Sequence, residues 1–138
     1  MIVLDTNVLS EPLRPHPEPA VLDWLAGHAE ASITAITVGE LLVGVARLPE
    51  GARRNSLAAA VDRVIGEAEV LAYDAGAARA YARIQELRRR AGRPLAVEDG
   101  MIAAICLAYG AALATRNTRD FEGLGIELID PWHPPLHT

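Results

Sequence analysis

Short apolar runs of strand type alternate with helix-type stretches along nearly the whole of this 138-residue chain, and that alternation leaves few folds open. Ile2-Val3-Leu4 reads as a buried strand. A loop punctuated by Pro12, Pro15, Pro17 and Pro19 follows, after which Val21, Trp24 and Leu25 mark an amphipathic helix. A weak second strand at Ala31-Ser32-Ile33-Thr34 leads into a helix over 38–48, stopped by Pro49 and Gly51. Leu57, Val61, Val64 and Ala68 then share one helical face, and Val70-Leu71-Ala72-Tyr73 reads as a third strand. Over 75–91, Ala80, Ile84, Leu87 and Ala91 face one way and Arg79, Arg83, Glu86 and Arg90 the other, until Gly92 and Pro94 end the helix. Residues 97–109 are apolar almost all round, as in a buried helix. Gly110 closes that helix, and residues 111–114 and Ile126-Glu127-Leu128-Ile129 supply two more strands. Strands alternating with helices pair in parallel, so the expected class is α/β: a three-layer sandwich with one parallel sheet of about five strands, order 3-2-1-4-5, and helices on both faces. No repeat or linker interrupts it, and residues 1–138 are expected to form one domain.

With 51% hydrophobic residues the chain can build a core. Its longest apolar stretch, residues 101–114, falls short of the roughly 20 residues that a membrane helix needs. Asp5 interrupts the first hydrophobic run, which excludes a signal peptide. The single cysteine, Cys106, lies among alanines and aliphatics and reads as a small buried hydrophobe. A cytoplasmic protein with no membrane contact is the expectation. The net charge of −5 argues against nonspecific binding of nucleic acid through a basic surface. All 13 basic residues are Arg, however, and six (Arg79, Arg83, Arg88, Arg89, Arg90 and Arg93) fall in one short segment. A genome bias toward Arg explains the choice over Lys but not the clustering.

Four carboxylates carry the chemistry. Asp5 follows the first strand, at the edge where open parallel sheets bind ligands. Glu40 lies in the helix after the second strand, Asp99 opens the helix leading to the fourth, and Asp120 follows the fourth by a few residues. Each has a plainer role. Asp5 could cap a helix, Thr37 and Glu40 match a capping box, Glu98 and Asp99 suit a helix dipole, and Asp120 could cap the segment from Phe121. In the order 3-2-1-4-5, however, the first and fourth strands are central neighbours, and all four acids meet at one edge. Hard oxygen donors without His or Cys suit Mg²⁺ or Mn²⁺. Without cations such a cluster repels itself and raises its own pKa values; divalent ions relieve this and support in-line phosphodiester hydrolysis. Other chemistries fail: no glycine pattern makes a phosphate loop, Ser10, Ser32 and Ser56 lack a nucleophile elbow, and Asn7 stands where an aspartyl phosphatase would want a second Asp.

The opening Ile2-Val3-Leu4-Asp5-Thr6-Asn7, the segment Gly39-Glu40-Leu41, the stretch Glu98-Asp99-Gly100-Met101-Ile102-Ala103-Ala104 and the run Ala114-Thr115-Arg116-Asn117-Thr118-Arg119-Asp120-Phe121 together resemble the PIN-domain family. They are most similar to its VapC toxins, and Ser10-Glu11-Pro12-Leu13-Arg14-Pro15 resembles the FitB subgroup. The resemblance implies a PIN-like sandwich and a Mg²⁺- or Mn²⁺-dependent endoribonuclease, the toxin of a type II toxin–antitoxin pair. It carries catalytic and metal-binding roles to Asp5, Glu40, Asp99 and Asp120. It gives supporting roles to Asn7 and Thr115, phosphate contact to Arg116, and to Asn117 a position that is acidic in the FitB-like pattern. The implied partners are an RNA substrate, a second copy of the chain, and a VapB-like antitoxin through which a larger complex binds operator DNA. Trp24, Leu41, Leu42 and Val45 are expected to offer a groove for an amphipathic segment of that antitoxin. A second reading makes the chain a non-catalytic interaction protein that binds a DNA-binding partner and regulates transcription.

Overall fold

Strand-forming residues occur here in runs too short for long ladders, and the computed structural model, which describes residues 1–135, pairs them accordingly. β1 (Ile2–Leu4) runs parallel to β4 (Ala112–Ala114), with Leu4 opposite Ala114, and β4 runs parallel to β5 (Leu128–Ile129). β2 (Ile33–Thr34) and β3 (Val70–Leu71) form a separate two-stranded parallel ladder. One parallel bridge between Val3 and Ser32 sets the two ladders edge to edge, with the Leu4 N–H donating to the Ser32 carbonyl at 2.8 Å. Neighbours thus run 3-2-1-4-5, but as two bridged ladders instead of one continuous sheet. Residues 136–138 of the single domain expected over 1–138 lie outside the described residues.

Alternation along the central strands builds the three layers. Val3 and Leu113 face a core made with α5 (Ala75–Arg90) and α6 (Val97–Tyr109), in which Ile84, Ile102, Ile105 and Phe121 are almost wholly buried. Leu4 and Ala114 face the other way, onto α1 (Thr6–Ser10) and α2 (Pro19–Ala26), through Val8, Val21, Trp24 and Leu25. α3 (Ala35–Ala46) and α4 (Ala52–Glu67) close a third, smaller cluster of Leu41, Val45 and Val61. Cys106 is fully buried, and burial pushes its thiol up to about 12, which leaves it inert. Among the described residues no helix is long and apolar enough to cross a membrane.

Several expectations shift. The short helix α1 carries no helical period in its five residues, and the capping role open to Asp5 was its one sign in the sequence. The helix expected over 38–48 begins earlier, at Ala35. In α5 the buried positions are Ala77, Ala80, Ile84 and Arg88, whereas Leu87 is 50% exposed. That stripe steps by three, four and four residues and so passes over Leu87. Leu41 and Val45 belong to the core between α3 and α4, and Trp24 stacks on His28, so three of the four residues expected to line a docking groove are packed within the fold.

Candidate active site

The register of the central strands builds the site. Because Leu4 pairs with Ala114, the next rung places Asp5 beside Thr115 where both chains leave the sheet. The buried Thr115 hydroxyl donates to Asp5 Oδ2 at 2.8 Å, and the Thr6 N–H donates to Asp5 Oδ1 at 2.8 Å. Asp5 therefore caps α1, as its plainer role required, and presents a carboxyl at the sheet edge as well. Burial pushes its pKa above the ordinary value, against the two hydrogen bonds that lower it. The Asn7 amide nitrogen lies 3.5 Å from Asp5 Oδ2, and its carbonyl oxygen accepts the Arg116 N–H at 3.3 Å, so Asn7 ties the two strand ends together.

Glu40 arrives by a different route. Thr34 is the N-cap of α3, its hydroxyl accepting from the Thr37 N–H at 3.2 Å. The expected capping box of Thr37 with Glu40 does not form, because Glu40 lies in the second turn of a helix that starts at Ala35. Its partner is Thr6, whose hydroxyl donates to Glu40 Oε1 at 2.7 Å. The Thr37 hydroxyl is 3.1 Å from that of Thr6. One hydroxyl proton cannot serve two acceptors and a carboxylate can only accept, so Thr37 donates to Thr6. A relay from Thr37 through Thr6 thus orients Glu40. Sequence reasoning missed Thr6 as a functional residue; its place directly after Asp5 was the available signal.

Asp99 sits in the first turn of α6, whose N-cap, Ala96, makes no side-chain capping bond. Burial and then the charges of Asp5, Glu40, Asp120 and Glu98, in that order, push its carboxyl up to about 6. Those four repulsions express the convergence of the acids on one region. Asp120 does not cap the segment from Phe121 but lies inside a 3-10 turn, Thr118–Phe121, anchored by the buried Phe121. Asn117 is exposed, and its N–H donates to the Thr115 hydroxyl at 3.1 Å. Arg116, expected at phosphate, holds its guanidinium 5.0 Å from the centre of the Trp132 ring. Between α3 and α6 a groove of about 600 Å³ runs from Glu40 and Glu98 past Val43 and Met101 to Arg47.

Among the described residues no group of three or more His, Cys, Asp or Glu side chains is already gathered as an ion's ligand set. The acids nevertheless face one region, since Asp5, Glu40, Asp120 and Glu98 all act on the Asp99 carboxyl. Their chemistry fits a hard divalent cation: the donors are all carboxylate oxygens, and Asp99 in particular carries repulsion that a cation would relieve. Replacing Thr115 by Val keeps its shape and removes the hydroxyl that favours ionised Asp5. We expect Thr115→Val to raise the half-saturating Mn²⁺ concentration by up to about tenfold at neutral pH, and by less at higher pH, in a calorimetric titration.

The PIN domain family pattern matches residues 2–126. The chain is 39% identical to the VapC ribonuclease Y4jK of Sinorhizobium fredii, the match covering 97% of this chain and 99% of that protein. It is 38% identical to the toxin FitB of Neisseria gonorrhoeae, with 96% and 99% covered. The solved structure of FitAB bound to an IR36 DNA fragment superposes with a TM-score of 0.93 at 36% identity, covering 100% of both chains.

Proposed function

The chain belongs to the PIN domain family, and on that premise we propose that it is a toxin–antitoxin ribonuclease that hydrolyses RNA phosphodiester bonds with Mg²⁺ or Mn²⁺. The observation that carries this reading is the convergence of Asp5, Glu40 and Asp120 on Asp99, from four separate segments: burial first, and then their charges, raise its carboxyl to about 6. A shared site explains why these carboxylates tolerate one another's charge. The names of the ribonuclease and toxin relatives support the activity.

Asp5, Glu40, Asp99 and Asp120 would hold the ion. When bound, a divalent cation supplies positive charge against the developing negative charge of the phosphoryl oxygens. The remaining work falls to the chain. Thr115 and the Thr6 N–H keep Asp5 ionised and oriented. Thr6 fixes Glu40. Asp99, pushed up to about 6 by burial and then by the neighbouring acids, is still ionised at neutral pH and so offers a cation a full negative charge. Asn7 holds the strand end that carries Arg116.

As partners we propose a second copy of the chain and a VapB-like antitoxin, through which the complex reaches operator DNA; the related FitAB structure, solved on DNA, supports this. The exposed Leu42 and Val43 of α3, 45% and 47% accessible, provide apolar surface for such a contact beside the acids. Incubating purified protein with structured RNA tests the activity. Cleavage that disappears on chelating divalent ions and returns with Mg²⁺ is the expected result. RNA left intact under all ionic conditions, by protein that still binds its partner, would favour the purely regulatory role.

A further inference from the structure

The arginine-rich segment that composition left unexplained contains one residue unlike the rest. Arg88 is 5% exposed and is the single basic side chain in the buried set of the described residues. Among the described residues no carboxylate pairs with it. Its Nη2 donates to the Asp120 carbonyl at 2.6 Å and the Glu122 carbonyl at 3.0 Å, and its Nη1 reaches the Arg93 carbonyl at 3.5 Å. The planar fork thus grips the backbone on both sides of Phe121. Arg93 adds a contact from the loop after α5, donating to the Arg119 carbonyl at 3.3 Å. No side-chain hydrogen bond among the described residues holds the Asp120 carboxyl, so this grip fixes the main chain from which that carboxyl projects. Arg88, Arg93, Asp99 and Asp120 line one recess of about 300 Å³.

The geometry points to Arg88 as a positioning residue that sets Asp120 against Asp99 in the ion-binding site. α6 carries Asp99, α5 packs on α6 through Ala80 and Ile84, and α5 reaches Asp120 through Arg88. One helix pair therefore governs the separation of two acids that the sequence places 21 residues apart. A buried charge whose partners are all carbonyls is a poor device for stability alone, since an apolar side chain would fill the space at less desolvation cost. What an apolar residue cannot do is hold two carbonyls in fixed places through one rigid group.

The inference rests on the divalent-ion reading of the site, and the test separates the two. Mn²⁺ is titrated by calorimetry into wild type, Arg88→Lys, Asp120→Asn and the double variant, each checked by thermal unfolding. Lys keeps the charge but loses the fork. Arg88→Lys should remain folded and bind Mn²⁺ about fivefold more weakly, whereas in the Asp120→Asn background the same change should have almost no further effect. Unaltered Mn²⁺ affinity in Arg88→Lys, or an equal loss in both backgrounds, would overturn the positioning role while leaving the site intact. If wild type itself shows no saturable Mn²⁺ binding, the ion-site reading fails and the inference falls with it. Should Arg88→Lys not fold, Arg93→Gln decides from the exposed side: weakened binding that depends on Asp120 supports the clamp, and unchanged binding refutes it.

Discussion

Asp99→Asn should abolish RNA cleavage, by about a hundredfold or more, and yield a protein that, in the absence of divalent ions, unfolds at a higher temperature than wild type at neutral pH. The loss follows from removing a carboxylate whose share in transition-state charge stabilisation amounts to roughly 3 kcal/mol. The gain follows from the sign of the shift. Asp99 titrates near 6 in the folded protein, above its ordinary value of 3.8, so between those values the folded state binds a proton more tightly than the unfolded chain does. Stability is therefore lost as pH rises through that interval and stays lost at pH 7. Taken at face value the shift costs about 3 kcal/mol, but Asp99 is only half-buried and solvent screening lowers this to about 1 kcal/mol. Asparagine restores that amount at pH 7 and almost none near pH 3.5. Thermal unfolding of both proteins at the two pH values measures it. A mutant with full cleavage contradicts the assignment, and one that unfolds readily assigns Asp99 to the helix terminus instead.

The second large effect concerns the acid after β4. Asp120→Ala should raise the Mg²⁺ concentration needed for half-maximal cleavage by about tenfold to a hundredfold, and Asn117→Ala by much less. An amide offers only a neutral oxygen, whereas Asp120 faces the same recess as Asp99 and contributes to its repulsion. Mg²⁺ titrations of initial cleavage rates in the two variants read the difference directly. The opposite order would make Asp120 a local element of the 3-10 turn and pass its role to Asn117.

The parts of this site that could be read from sequence are those that follow from strand ends. Asp5 and Thr115 lie at the carboxyl ends of two apolar runs, and parallel pairing of those runs brings them together without further information. Asp99 is legible for a related reason: it stands at the start of a helix otherwise too apolar for an acid. Glu40 was placed in the right helix but given the wrong local partner, because helix starts are read poorly when the cap, Thr34, also ends a strand. The Thr6 relay depends on how α1 lies against α3, and no pattern along a five-residue helix encodes that. Arg88 was hidden by chemistry. An arginine on the apolar side of an amphipathic helix is assigned by type to solvent, and Leu87 by type to the core, whereas the carbonyls of residues 120 and 122 reverse the two. Those carbonyls come from a turn more than 30 residues away. Glu11 is a similar case. It is buried within the proline-rich loop, where it accepts from the Glu18 N–H at 3.2 Å and pairs with Arg14 at 3.3 Å.

On the proposed reading, four dispersed carboxylates form one site whose mutual repulsion a bound cation relieves. The most direct measurement is the unfolding temperature of wild type and Asp99→Asn at pH 7, stripped of divalent ions and then with Mn²⁺ at about a hundred times its dissociation constant. Wild type should gain about 2.7 kcal/mol, several degrees of unfolding temperature, and Asp99→Asn should gain little from the same Mn²⁺ concentration. Equal Mn²⁺ stabilisation of both proteins, or none of either, would contradict it.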